Sequence, residues 1–150
     1  MRIWHFELVR VLPDAQLIAQ WRELCAIAGR IAKIGYPNHI LVNKVMYYSA
    51  KELIDFSTRV TEEMHYRGFK MNPKTYDKFY HNIMDNKDKF KEIKPYSGGQ
   101  YKDWHNDRYY WQCFHNLQEK YDCGGINDRE WKRIQTNRSF FYSLSKYLKR

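Results

Sequence analysis

Along the chain, stretches of helical periodicity are separated by short breaks rich in Gly, Pro and Asn. After Pro13-Asp14, apolar residues recur at Leu17, Trp21, Leu24, Ala28 and Ile31, the three-to-four spacing of one buried helical stripe. Pro suits the first turn, Asp complements the positive dipole end, and the pattern stops before Gly35-Tyr36-Pro37. A second stripe carries Leu53, Phe56, Val60 and Met64. Ser49 with Glu52 forms a capping box at its start, and Arg67-Gly68 supply a last-turn cation and a left-handed stop. A third helix, roughly Asn106–Lys120, sets Tyr110, Phe114, Leu117 and Tyr121 on one side and breaks at Gly124-Gly125.

The intervening segments are less periodic. Residues 1–12 read as extended, with β-branched and aromatic residues in rough alternation. Residues 37–48 read as a connector draped over the core, and a short helical turn follows Pro73. Residues 82–104 are polar and charged and read as a long surface loop, with one or two short helices filling 128–150. Neither an internal repeat nor an interdomain linker is visible. The expectation is one all-α domain over residues 1–150 with an extended N-terminal segment.

Composition narrows the class. A length of 150 residues suits one domain. With 43% apolar residues and 17% Phe, Trp or Tyr, the chain is no disordered polymer. Seven Gly and four Pro exclude a collagen-like repeat. No apolar run approaches the ~18 residues of a membrane span, so no membrane partner is expected. The N-terminus lacks a signal-peptide pattern, and the expected location is cytoplasmic. The three cysteines, Cys25, Cys113 and Cys123, show no C-x-x-C pair, and the six histidines show no ligand spacing. Neither a metal nor another cofactor is expected.

Lys and Arg number 26 against 17 Asp and Glu, a net charge of +9. That excess points to a polyanion, nucleic acid first, with plain solubility charge as the alternative. The basic residues thicken from Arg129 to Arg150, interleaved with Trp131, Phe140, Phe141, Tyr142 and Tyr147. Cations neutralise phosphates, and aromatic faces either stack on unpaired bases or pack a terminal helix. Phe140, Phe141 and Leu144 are assigned to the core. Trp4, Trp21, Trp104 and Trp111 are read as core in preference to stacking platforms or wedges.

One carboxylate stands out on the first helix. With Leu17, Trp21, Leu24, Ala28 and Ile31 turned inward, Glu23 falls on the opposite side, at about 100° per residue. Ala19, Ala26, Gln16 and Arg30 share that face, with Arg22 one step around. A phosphate backbone could approach there, held by arginines, leaving Glu23 for proton transfer; on spacing alone an ordinary surface salt bridge is the preferred reading.

The segment Leu8-Val9-x-x-Leu12-x-Asp14-x-x-Leu17-x-Ala19-x-x-Arg22-Glu23-Leu24 resembles the start of the pyrimidine-dimer DNA glycosylases, the phage-type endonuclease V repair enzymes. Arg67-Gly68-Phe69 and the stretch from Val45-Met46-Tyr47-Tyr48 through Glu63 are similar too. The resemblance covers roughly residues 1–70 and is most specific over 8–24. It implies an N-terminal segment threading between helices, double-stranded DNA with a damaged or modified base as partner, and a monomeric enzyme. By resemblance, the α-amine of Met1 forms a Schiff base at C1′ and expels the base. β-Elimination then nicks the strand while Glu23 handles protons. Arg2, His5, Arg22 and Arg30 are the candidate DNA contacts, although His5 reads more readily as a satisfied core or surface histidine. Where the family carries a second arginine on the first helix this chain has Ala26, and Arg30 stands one turn further on.

The chemistry is sound on its own terms. An unperturbed α-amine titrates near ~7.7–8.0 against lysine's ~10.4, so a useful fraction is nucleophilic at neutral pH. Met before the large Arg2 is expected to be retained, which makes Met1 the amine. Two alternatives remain: a glycosylase against hypermodified phage bases in defence, and a non-catalytic basic helical module that binds DNA or RNA.

Overall fold

The structure, a computed structural model, describes the backbone of residues 1–148 and the side chains of residues 1–138. Five α-helices follow in order: α1 (Asp14–Ile34), α2 (Ala50–Tyr66), α3 (Pro73–Met84), α4 (Asp107–Asp122) and α5 (Asp128–Leu148). Short 3₁₀ turns cover Phe6–Val11, Asn43–Tyr47 and Lys87–Lys89, so the described residues are all-α. The side chains of Phe140, Phe141 and Leu144, and of the aromatic and basic run to Arg150, lie outside the described residues.

Helix α1 starts and stops where its sequence asks. Pro13 sits at the N-cap, and Gly35 takes a φ of 92° while its N–H bonds Ile31 O at 2.9 Å. That left-handed geometry is open to glycine at little cost. The buried face is wider than the stripe foresaw, since Gln20 and Ile27 join Leu17, Trp21, Leu24, Ala28 and Ile31. Against it pack α2 and α3, with Trp21 edge-on to Phe79 at 5.3 Å. Helix α3 is a full element where a single turn is expected, because Asn72 caps Lys74 N at 2.9 Å and Phe79 and Ile83 bury one face. At the other end, α5 is one continuous helix, and Trp131 is core, stacked on Tyr121 at 5.2 Å. Trp4, Trp21 and Trp104 are core as well; Trp111 is 43% exposed.

The N-terminal segment departs from expectation in its second half. Residues 1–5 are irregular and buried from Ile3 to His5, but Phe6–Val11 is a 3₁₀ turn instead of a strand. His5 nucleates it: its Nδ1 accepts from Glu7 N–H at 3.2 Å and its carbonyl from Leu8 N–H at 2.9 Å. The apparent alternation arises because Leu8, Val9, Val11 and Leu12 are all buried, the turn being packed against α2 and α5. Arg67 fastens its end by donating to Leu12 O at 2.7 Å and Arg10 O at 3.1 Å.

Half of the capping box forms as expected, with Ser49 Oγ accepting from Glu52 N–H at 3.2 Å. The other half does not. The Glu52 carboxylate is fully buried and accepts from Ser97 N–H (2.8 Å), Ser97 Oγ–H (2.7 Å) and Tyr101 N–H (2.9 Å). This overturns the reading of 82–104 as a surface loop. Phe90, Tyr101 and Trp104 are buried, as is the following His105. Gly99, at φ 82°, lies so close to α2 that a Cβ would stand 2.6 Å from Asp55 C and Phe56 N. Polar residues between these anchors hide a segment whose aromatic spacing has no helical period.

Removing the carboxylate that gathers this loop strands its buried donors, each worth ~1–3 kcal/mol when unpaired. Glu52→Ala is therefore expected to lower unfolding free energy by about 3 kcal/mol, read from urea denaturation. A loss below about 1 kcal/mol would mean the loop is held by packing alone.

Candidate active site

The N-terminal segment runs alongside α1 and takes its backbone hydrogen bonds from side chains. Gln20, fully buried, accepts from Trp4 N–H at 2.8 Å and donates to Arg2 O at 2.9 Å, the pairing a neighbouring strand would offer. Tyr109 Oη–H donates to Ile3 O at 2.5 Å, and His105 Nδ1 accepts from Phe6 N–H at 3.0 Å. Ile3 and Trp4 fill the core beneath.

This anchoring brings the chain's first nitrogen to Glu23. The Met1 amine lies 3.9 Å from Glu23 Oε1, and Arg2 N–H points at Oε2 from 3.4 Å. The Glu23 side chain is 28% exposed, half-buried instead of standing free on the far side of the helix. The broader inward face explains the difference. At 100° per residue Glu23 lies only about 60° from Gln20 and about 40° from Ile27, both buried. Around the pair opens a cleft of about 270 Å³, lined by Met1, Arg2, Trp4, Gln16, Ala19 and Glu23, with Ala15 and Lys120 completing it. Small side chains at Ala15 and Ala19 leave room against the helix. Gln16 Oε1 is buried there without a donor among the described residues.

Of the expected site residues, the structure thus joins Met1, Arg2 and Glu23. The Arg2 guanidinium lies 5.0 Å from the centroid of the Trp4 ring. Arg22 is exposed on α1 but outside the cleft lining. Arg30 is also exposed, and donates to Pro37 O at 3.2 Å. His5 is corrected: it is fully buried, its Nε2–H donates to His105 O at 2.8 Å and its Nδ1 is taken by Glu7 N–H, so it faces the core and not a ligand. Sequence reasoning missed Gln20, Tyr109, His105 and Lys120. Only Gln20 left a trace, as a polar residue between Leu17 and Leu24 on an apolar stripe.

A separate cleft of about 440 Å³ lies between the first 3₁₀ turn and α2. Glu7, Glu62 and Glu63 wall it beside Arg10 and Arg59, and none of the expected site residues lines it.

The family model described as pyrimidine dimer DNA glycosylase matches residues 1–77, just over half of the 150-residue chain. The chain belongs to that family, a family of enzymes named for acting on DNA. The matched region holds α1, α2, the N-terminal segment and the Met1–Glu23 pair. No curated protein and no solved structure matches the chain. Among the described residues, no helix is long and apolar enough to cross a membrane.

Replacing Gln20 by the similarly sized Leu leaves Trp4 N–H and Arg2 C=O buried and unpaired. Gln20→Leu is expected to cost about 2 kcal/mol and to speed amide hydrogen exchange at Trp4 by more than about tenfold, measured by NMR. Unchanged exchange would remove Gln20 from the anchoring of the terminus.

Acid should weaken the same anchor. Burial pushes the His5 imidazole down to about 4 and holds His105 well below its ordinary range. Both Nδ1 atoms accept backbone N–H groups, so neither can take a proton without breaking a bond. Between pH ~6.5 and ~4 the unfolded chain binds protons that the folded chain refuses. Stability is therefore present above pH ~6.5 and falls as pH drops, by up to ~1.4 kcal/mol per pH unit for each histidine. Thermal melting across that window checks this, and a flat profile would contradict it.

Proposed function

We propose that this protein is a DNA glycosylase with abasic-site lyase activity, using the Met1 α-amine as nucleophile and Glu23 as its proton-transfer partner. The observation that carries the reading is the amine held 3.9 Å from a half-exposed carboxylate inside a cleft. Its substrate is double-stranded DNA containing a damaged pyrimidine of the dimer type or a modified base, and the enzyme works as a monomer. A glycosylase aimed at hypermodified phage bases would use the same site. Membership of the pyrimidine dimer glycosylase family supports the DNA substrate and the base-excision step.

The steps balance. The free amine lone pair forms an N–C1′ bond as the C1′–base bond breaks, and the base leaves with that electron pair and takes up a proton. Nitrogen loses a proton, the C1′–O4′ bond opens with O4′ protonated, and an imine results, protonated as the iminium. Glu23 stands within reach of the amine to relay these protons and to offset the cationic intermediate. Removal of a C2′ proton then drives β-elimination of the 3′ phosphate. Arg2 and Lys120, at the rim of the cleft, and Arg22 on the exposed side of α1 supply charge for the flanking phosphates.

An imine is reducible. Borohydride is expected to trap a covalent adduct between the protein and a duplex carrying an abasic site. Acetylating the N-terminus should abolish the adduct, and Glu23→Gln should cut its rate by ~10²-fold or more, in line with general acid–base contributions. Trapping that survives acetylation would exclude Met1 as the nucleophile. A protein that binds duplex with steep salt dependence, yet gives no adduct, would be the non-catalytic module instead.

A further inference from the structure

Beside the amine cleft lies a second one of about 480 Å³, within the ~300–1,000 Å³ of sites that enclose small ligands. Arg2 lines both, which places the two side by side. The charged side chains lining this second cleft are Arg2, Lys44 and Arg108, with no carboxylate among them; Gln112 and Asn116 add amide groups able to donate and accept. Lys44 Nζ lies 5.6 Å from the Trp104 ring centroid, and Arg108 Nη1 donates to Gln112 Oε1 at 3.5 Å.

At the edge of this cleft stand two apolar side chains that folding leaves in water, Ile40 at 86% and Leu41 at 51% exposure. They are not on a loose loop. His39 O accepts from Val42 N–H at 3.0 Å and Asn43 N–H at 2.9 Å, and His39 Nδ1 accepts from Leu41 N–H at 3.3 Å. Asn43 Oδ1 returns the tie by accepting from His39 N–H at 3.0 Å, while Pro37 and Val42 are buried on either side. Asn38, at φ 55°, turns the chain into this tip. An exposed aliphatic pair on a hydrogen-bonded tip, beside cations with no carboxylate in salt-bridge distance among the described residues, fits the wedges that proteins drive between base steps.

We propose that Ile40 and Leu41 enter the DNA stack beside the target and that the Arg2–Lys44–Arg108 cleft receives the nucleotide this extrudes. Charge complementarity selects the occupant, since a carboxylate-free cationic cleft next to the amine suits a nucleotide with its phosphates. The inference rests on the glycosylase reading for its substrate but uses none of the catalytic groups. Extruding a base costs a few kcal/mol, and a preformed wedge and receptacle offset that cost. The amides of Gln112 and Asn116 then face the extruded base's polar edge, which makes them the groups that distinguish one base from another.

The probe is a duplex with 2-aminopurine next to a tetrahydrofuran abasic analogue, whose fluorescence rises on unstacking. At saturating protein, the double variant I40S/L41S is expected to show a rise about tenfold smaller than the unaltered protein. Its melting temperature should be unchanged, both side chains being exposed, and Ile93→Ser, another exposed aliphatic, serves as the control with a full rise. The pair Lys44→Ala and Arg108→Ala should each lower the slope of log affinity against log salt by about 1. A full fluorescence rise from I40S/L41S, no rise from the unaltered protein, or an unchanged salt slope would each overturn the proposal. Failure of borohydride trapping alongside a normal fluorescence rise would sink the amine chemistry alone.

Discussion

The side-chain amide of Gln20 bridges Trp4 N–H and Arg2 C=O, and the position of the first residue depends on that bridge. Chain termini are ordinarily frayed, because few contacts offset the conformational entropy of ordering them. Here Ile3 and His5 are fully buried and Trp4 nearly so, and a buried backbone must find partners for its N–H and C=O groups. No strand is at hand. Side chains from α1, α4 and the loop before α4 substitute for one, through Gln20, Tyr109 and His105. The result is an α-amine brought to 3.9 Å from the Glu23 carboxylate.

Two glutamates show how donor supply decides what a carboxylate is for. Glu52 is fully buried, with three donors from the 97–101 loop, and its charge is spent on holding that loop against α2. From the loop the chain continues to His105, which braces the N-terminal segment in turn. Glu23 keeps one long N–H contact at 3.4 Å and the amine at 3.9 Å, and it stays partly open to solvent. A carboxylate whose oxygens are taken by three donors does structural work, while one with few donors keeps its oxygens open to other groups. The first supports the second at a distance, through the loop and the N-terminal segment.

Helices α1, α2 and α4 were legible because each carries both a period and a stop: Pro13 and Gly35, Ser49 and Gly68, Asn106 and Gly124. The extent of α3 was not, since its buried pair Phe79 and Ile83 is too short a stripe to show a period. The loop before α4 was misread because its anchors depend on Glu52, a partner some 45 residues earlier, and periodicity sees only neighbours. Glu23 was singled out by its surroundings and by resemblance to the pyrimidine dimer glycosylases. Its distance from Met1 could not be read from either, because it depends on Gln20 and Tyr109 drawing the terminus inward. His5 illustrates the converse: proximity in sequence to the amine suggested a contact, whereas the side chain turns the other way to cap the 3₁₀ turn.

The net charge of +9 gains meaning from where the negative groups are spent. Glu7 pairs with Arg138, Asp14 and Glu63 with Arg67, and Asp103 with Lys94. Each such pair contributes at most ~1 kcal/mol near the surface, so their weight in stability is small. Their larger consequence is spatial, because they neutralise cations at the end of α2, in the middle of α5 and in the loop before α4. Arg2, Arg22, Lys44, Arg108 and Lys120 have no carboxylate within salt-bridge distance among the described residues. Three of them line the second cleft, and Arg2 and Lys120 line the amine cleft. A field from unpaired cations raises the local concentration of a polyanion and orients it before any specific contact forms. Arg2, Lys44, Arg108 and Lys120 place part of that field around the two clefts that share Arg2.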